Sequence, residues 1–297
     1  MRRWLTSLVL TGLVVTALTG CGKPSGVDGD LLDDWPVPGE PTVFVPESDT
    51  CHPKFHEIGY LAAYQPVACD QAHMTETLHV GTFTGKHADR TTPPSAGSPA
   101  IRAAFSECDK KVRDALGGDW RIARLAMTVV LPSSFGWDGG ARWFRCDVSE
   151  VESLDDRDLV DRSGSLKGAL TSASDLNYGC FVPQLGRDDE LEAMKSVPCK
   201  EKHRSEFAGI WTAPDVSYES FTKDSEATHR GCLGVIASYT NVPNDADIRY
   251  RVGSIYYYPR KEEWETGNRG VQCFLWLSNR EVSKSLKGAG TAGLPIN

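Results

Sequence analysis

The sequence predicts an α+β protein of two tandem homologous domains, each a small antiparallel sheet with one main helix and two disulfides. Three observations predict it. After Cys21 the cysteines fall into two groups of four, Cys51, Cys69, Cys108, Cys146 and Cys180, Cys199, Cys232, Cys273. Their gaps are 18, 39 and 38 residues in the first group and 19, 33 and 41 in the second. The flanking residues then repeat in order. Both groups carry V-x-C-x3-H-x2-E, placing His73 and Glu76 in one copy and His203 and Glu206 in the other. Pro132, Trp137, Gly140, Arg142 and Cys146 match Pro259, Trp264, Gly267, Arg269 and Cys273 without a gap, and each copy closes in Ser-Leu-Lys-Gly, at 165–168 and 285–288. Three ordered blocks at matched spacing are the signature of a duplication. Finally, each copy reads strand, helix, strand, strand, the order of a sheet covered on one face by a helix.

The elements follow from residue type and period. Glu76–Phe83 and Glu206–Trp211 mix β-branched, aromatic and small residues and read as strands. Pro99 to Leu116 places Ile101, Phe105, Cys108, Val112 and Leu116 three and four apart, so the third cysteine lies on the buried stripe of a helix. Its counterpart is Tyr218 to Ser238, with Phe221, Cys232, Val235 and Ile236. Leu125–Leu131 and Ser254–Tyr258 read as strands stopped by Pro132 and Pro259, and Ala141–Val148 and Gly270–Leu277 as the last strands. Four cysteines allow three pairings per domain. The reading favours first with second, as neighbouring strands, and third with fourth, as helix to last strand.

The N-terminus carries its own signal. Arg2 and Arg3, an apolar stretch from Leu5 to Leu18 and the run Leu18-Thr19-Gly20-Cys21 have the layout of a bacterial lipoprotein signal. Cleavage before Cys21 and lipidation of its thiol place the protein on the outer face of the cell membrane, held by two acyl chains such as palmitate. The expected divisions are 1–20 signal peptide, 21–50 lipidated cysteine and tether, 51–170 first domain and 179–290 second domain. Residues 22–50 hold five Pro, four Gly and seven acids against one Lys, a composition that cannot bury a core. Loss of Arg2 and Arg3 moves the net charge from -8 to -10, which argues against nucleic acid as a partner. Eight remaining cysteines in an exported chain, with no Cys-x-x-Cys, read as a disulfide framework.

Candidate chemistry centres on the repeated residues. His73 with Glu76 and His203 with Glu206 offer metal ligands or proton carriers. On a strand, however, a spacing of three sends the two side chains to opposite faces. The neighbouring cysteine is lost to a bridge, so the reading is structural, without metal, cofactor or catalytic residue. Ser165 and Lys167, like Ser285 and Lys287, lack the Ser-x-x-Lys spacing of a nucleophile pair and also read as structural. Trp137 with Arg142 and Trp264 with Arg269 read as cation–π pairs at a core edge, ahead of a sugar-stacking surface. Tyr256-Tyr257-Tyr258, where the first copy has Val129-Val130-Leu131, offers alternate tyrosines to solvent as a binding surface.

The repeated pattern resembles the septum-formation family, exported or membrane-tethered envelope domains of actinobacteria. The resemblance spans residues 51–168 and 179–288 and implies a link to cell division. It implies no catalytic residues. The expected function is a lipid-anchored binding or adaptor protein of septation or wall assembly, whose partner is an envelope or divisome protein or wall glycan. The competing readings are a wall hydrolase using the His/Glu block and a glycan-binding module using the Trp and Tyr residues.

Overall fold

A computed structural model describes residues 42–171, 173–188 and 190–296. The signal, Cys21 and most of the tether lie outside the described residues. Among those described, no helix is long and apolar enough to cross a membrane. One compact unit begins at Val43 and takes in both repeats.

The first repeat contains β1 (Thr50–His52), β2 (Ile58–Gly59), β3 (Thr75–Thr82), α1 (Pro99–Leu116), β4 (Leu125–Pro132), α2 (Ser134–Asp138) and β5 (Trp143–Glu150). The second contains β6 (Cys180–Leu185), β7 (Leu191–Val197), β8 (Ser205–Thr212), α3 (Tyr218–Lys223), α4 (Ser225–Thr240), β9 (Gly253–Tyr257), α5 (Lys261–Thr266) and β10 (Gly270–Trp276), with α6 (Gly290–Gly293) at the end. The sheets run β1-β3-β5-β4-β2 and β7-β6-β8-β10-β9. The shared four-stranded order, β1-β3-β5-β4 against β6-β8-β10-β9, is the duplicated core. Even its irregularity is duplicated: Leu78 bulges opposite the Cys146/Asp147 step and Ala208 opposite Cys273/Phe274.

Each sheet has five strands where the sequence predicts four, and the fifth differs between the copies. In the first, the segment after β1 crosses to the far edge, and β2 pairs in parallel with β4. In the second, β7 folds back on β6 as an antiparallel hairpin at the near edge. The folded unit also takes in Val43–Thr50, which composition groups with the tether. The Trp143 Nε1–H donates to the Phe44 carbonyl at 2.9 Å, and the Phe44 ring meets Tyr64 edge-on at 4.9 Å.

Helix α1 starts where Ser98 accepts from the Ile101 amide ahead of Pro99, and stops at Gly117, whose φ of 76° only glycine adopts readily. Its stripe, Ile101, Ala104, Phe105, Cys108, Val112 and Leu116, is buried against the sheet. The counterpart expected over Tyr218–Ser238 is instead two helices. Asp224 ends α3, and its carboxylate caps α4 by accepting from the Ala227 amide at 2.9 Å. The bridges are Cys51–Cys69, Cys108–Cys146, Cys180–Cys199 and Cys232–Cys273. None among them joins the repeats.

The repeats are joined by packing instead. The Arg121 Nε–H donates to Asn268 Oδ1 at 2.8 Å, and Gln272 Nε2 donates to the Arg121 carbonyl at 2.8 Å. Gly270 admits that arginine: a Cβ there would lie 2.3 Å from Arg121 Cδ. The segment around Tyr178, expected as linker, is hydrogen-bonded into the first repeat through the Tyr178 amide and the Ile122 carbonyl.

Candidate functional site

In both repeats the first and last sequence blocks meet at a buried glutamate. Glu76 Oε1 accepts from Ser165 Oγ and Oε2 from the Leu166 amide, each at 2.6 Å. Glu206 repeats the arrangement, accepting from Ser285 Oγ and the Leu286 amide at 2.8 Å. The glutamate thus ties the start of the second core strand to the closing segment of its own repeat, 80 to 90 residues later. The serine bends its own turn as well, since the amides of Lys167 and Lys287 donate to Ser165 and Ser285 Oγ. The closing tetrapeptide therefore serves the glutamate.

The histidines join these nodes unequally. Each Nδ1 faces a carbonyl, Gln71 or Glu201, at 2.8 Å. A carbonyl only accepts, so Nδ1 carries a proton in both. His203 Nε2 then reaches Glu206 Oε1 at 3.1 Å, with both residues fully buried. This corrects the expectation that the pair lies on opposite faces of a strand. Strand β8 begins only at Ser205, and His203 precedes it in a separate bridge to Val282, so strand alternation does not govern the pair. His73 also sits before its strand, bridged to Arg162, but its buried Nε2 has no partner among the described residues. The second node gains a further donor, Tyr239, whose OH reaches Glu206 Oε2 at 2.7 Å. The α1 residue at the same place is Ala115. Burial first, with the Glu206 carboxylate adding to it, pushes the Tyr239 hydroxyl far above its usual range.

These nodes organise structure more readily than chemistry. Donor atoms of Cys51, Cys69 and Glu76, and of Cys180, His203 and Glu206, gather within 4.8 Å. The sulfurs are committed to bridges, and both Glu206 oxygens already hold donors. Neither His203 nor Glu206 is reachable from solvent.

The tryptophan–arginine pairs are equally enclosed. Arg142 lies 4.2 Å over Trp137 and Arg269 lies 4.1 Å over Trp264, with both indoles buried. Each indole N–H donates to a loop carbonyl, Arg90 or Val216, and each arginine grips the carbonyl of its own tryptophan. Neither ring offers a face for stacking a sugar. The tyrosine run also differs from the expected solvent-facing alternation. Tyr256 packs with the core around Cys232 and Trp264, while Tyr257 on the other face donates to Asp155 Oδ1 at 2.6 Å. Tyr258 is the exposed one. Tyr257 and Tyr258 line a cleft of about 200 Å³ between the repeats, with Trp120, Tyr178, Arg157 and Glu263. The Arg157–Glu263 ion pair at 2.7 Å closes part of its wall.

A second buried network went unseen in the sequence. Behind the first sheet, His52 Nε2 meets Thr77 Oγ1 at 3.1 Å, Thr77 donates to Asp147 Oδ1 at 2.7 Å, and Arg145 pairs with Asp147 Oδ2 at 2.7 Å. Thr77 has spent its one proton, so His52 Nε2 is the donor and the ring is held in that tautomer. Burial, then the Arg145 charge, lowers the His52 pKa to about 4. Burial pushes the Asp147 carboxyl upward against Arg145. At the matching positions the second repeat has Phe181 for His52, Phe207 for Thr77 and Phe274 for Asp147, whose rings pack edge-on at 5.3 to 5.4 Å between centroids. The signal was the alignment of the copies, which pairs polar residues with phenylalanines one by one.

A family model described as septum formation matches residues 49–273, about three quarters of the chain and parts of both repeats. No curated protein and no solved structure matches the chain.

Proposed function

The chain belongs to the septum-formation family, and from that premise we propose that it is a non-catalytic binding or adaptor protein of the cell envelope, lipid-anchored through Cys21 on the outer face of the membrane. One observation carries the reading. Of the residues that the duplication keeps in both copies, His73/His203 and Glu76/Glu206 are buried, and each glutamate ties chain segments together by accepting from Ser165 or Ser285 and the amide that follows it. A catalytic group must touch substrate. What the body presents outward is surface, and two repeats packed through Arg121, Asn268 and Gln272 make one compact unit to present it. The acidic, proline-rich segment between Cys21 and Thr42 supports a flexible link from the lipid to a body that folds outside the bilayer.

The test is membrane fractionation of Cys21→Ser. The protein is expected to leave the membrane pellet or to accumulate with its signal uncut, and septum placement is expected to fail with it. A Ser variant that matures, stays in the pellet at high salt and supports normal septa would overturn the anchored reading.

A further inference from the structure

Large apolar side chains are exposed mainly at one corner of the first repeat. Phe135 is 89% exposed and Leu61 65%, and Val43, Val45, Ile58 and Tyr60 are exposed beside them. Backbone contacts gather them. Ile58 and Gly59 pair with Leu131 and Pro132, and the Ser133 amide donates to the Gly59 carbonyl at 3.2 Å, two residues before Phe135. Trp143 binds the Phe44 carbonyl on one side and presses against Gly59, where a Cβ would lie 2.3 Å from the ring. Val43 Cγ2 approaches the loop that closes α2, at 3.4 Å from a Cβ placed on Gly140. Exposed apolar residues of the second repeat, such as Leu191, Val216 and Tyr250, come from separate elements.

The duplication shows that the fold does not require this corner. Phe135 corresponds to Glu262, and Val43-Phe44-Val45 to Ser172-Ala173-Ser174. The segment bearing Ile58, Tyr60 and Leu61 runs to the far sheet edge, whereas its counterpart forms β7 at the near edge. One copy of the same fold is apolar where the other is polar, and the apolar copy is the one next to the N-terminal segment. Val43, inside the corner, is the first residue of the folded unit. Thr42 lies only 21 positions beyond Cys21. At about 3.1 Å per residue in an extended state the reach is roughly 65 Å, and a bent path lets the corner meet the bilayer.

We propose that this corner, formed by Phe135, Leu61, Tyr60, Ile58 and Val43, is a second membrane contact that seats the first repeat on the lipid surface and turns the second repeat outward. The proposal rests on the reading of Cys21 as the anchor. Aromatic and aliphatic side chains on an otherwise polar body partition into the headgroup–acyl boundary. The protein is acidic, so the attraction is apolar and indifferent to salt, and the surface it suits is uncharged phospholipid.

The test places a photoreactive benzoylphenylalanine at position 135, 61 or 262 of the full-length chain and irradiates intact cells. Adducted peptides are identified by mass, and fatty-acid labelling of Cys21 is read in the same samples. Phospholipid adducts are expected at 135 and 61, with only background at 262. Adducts at 135 to polypeptide alone would overturn the proposal, whether to residues 22–41, a second copy or another protein. So would equal lipid yields at 135 and 262. A lipidated chain without lipid adducts sinks the corner and leaves the anchor standing. Lipid adducts at 135 on an unlipidated chain uphold the corner and sink the anchor, and an unlipidated chain without adducts overturns both. A second variant guards against misfolding: Phe135→Glu, which installs the residue of the other repeat, should keep the melting temperature and lose the adduct at position 61.

Discussion

Replacing Tyr239 with Phe removes one oxygen from the second buried node and leaves the ring in place, so no cavity forms. The lost bond, 2.7 Å from the Tyr239 hydroxyl to Glu206 Oε2, is a hydrogen bond to a carboxylate. Such bonds contribute about 1.5 to 3 kcal/mol. Ser285 still donates to the same oxygen at 2.8 Å, so the acceptor is not stranded and the lower half of that range applies. The expected loss is ~1.5 to 2 kcal/mol, a fall in Tm of about 3 to 8 °C for a body of this size. Urea unfolding should give a lower midpoint with an unchanged slope. The pH dependence has a definite sign. The Tyr239 hydroxyl is raised above the ordinary tyrosine value of 10, so the folded protein keeps its proton where the unfolded chain loses it. That contribution is fully present below pH 10 and is lost as pH climbs toward the folded value. The gap between wild type and variant should therefore narrow above pH 10. A loss below ~0.5 kcal/mol, within the range of ordinary surface substitutions, or a gap that widens in alkali, would refute the assignment of Tyr239 to the node.

His52 gives the acid counterpart. Its lowered pKa means that the unfolded chain takes up a proton between pH 6.5 and about 4 while the folded chain does not, so stability falls as pH drops through that window. His52→Phe, which copies Phe181, should flatten that part of the profile of unfolding free energy against pH by up to roughly 3 kcal/mol. A profile identical to wild type would contradict it. Asp147, pushed up by burial, titrates in both proteins, so their difference isolates the histidine. Removing the Cys232–Cys273 bridge by a double Ala substitution should cost about 2 to 5 kcal/mol. Non-reducing peptide mapping of the wild type should find no free thiol among the eight cysteines and no bridge between repeats.

Much of the duplicated core was legible because its punctuation is local. Ser98, Pro99 and Gly117 bracket α1, and Pro132 ends β4. The break at Asp224 was masked because the apolar period of Phe221 and Cys232 runs through it; the signal that could have found it is Asp224 itself, an N-cap residue that accepts from the amide three residues on. The fifth strands escaped because they lie in the segments where the copies differ, and β2 is only two residues long. The repeated His, Glu and Ser-Leu-Lys-Gly blocks were visible, but not that one serves the other. No local pattern links Glu206 to Ser285 across 79 residues. The opposite-face argument for His203 and Glu206 failed on two residues of strand boundary. Tyr239 carried no signal, because Ala115 stands in its place in the first repeat.

The central claim is that the residues shared by both copies hold the fold together and carry no chemistry. The measurement that tests it most directly is complementation of septation by His203→Gln, Ser285→Ala and Glu206→Gln, with the Tm of each purified protein measured in parallel. Gln keeps a donor and an acceptor but cannot carry a proton near neutral pH. The account predicts that function in cells falls only as far as stability and abundance fall, so that a variant melting like wild type also divides like wild type. Complete loss of septation by His203→Gln at an unchanged Tm would contradict it and make the buried node an active site.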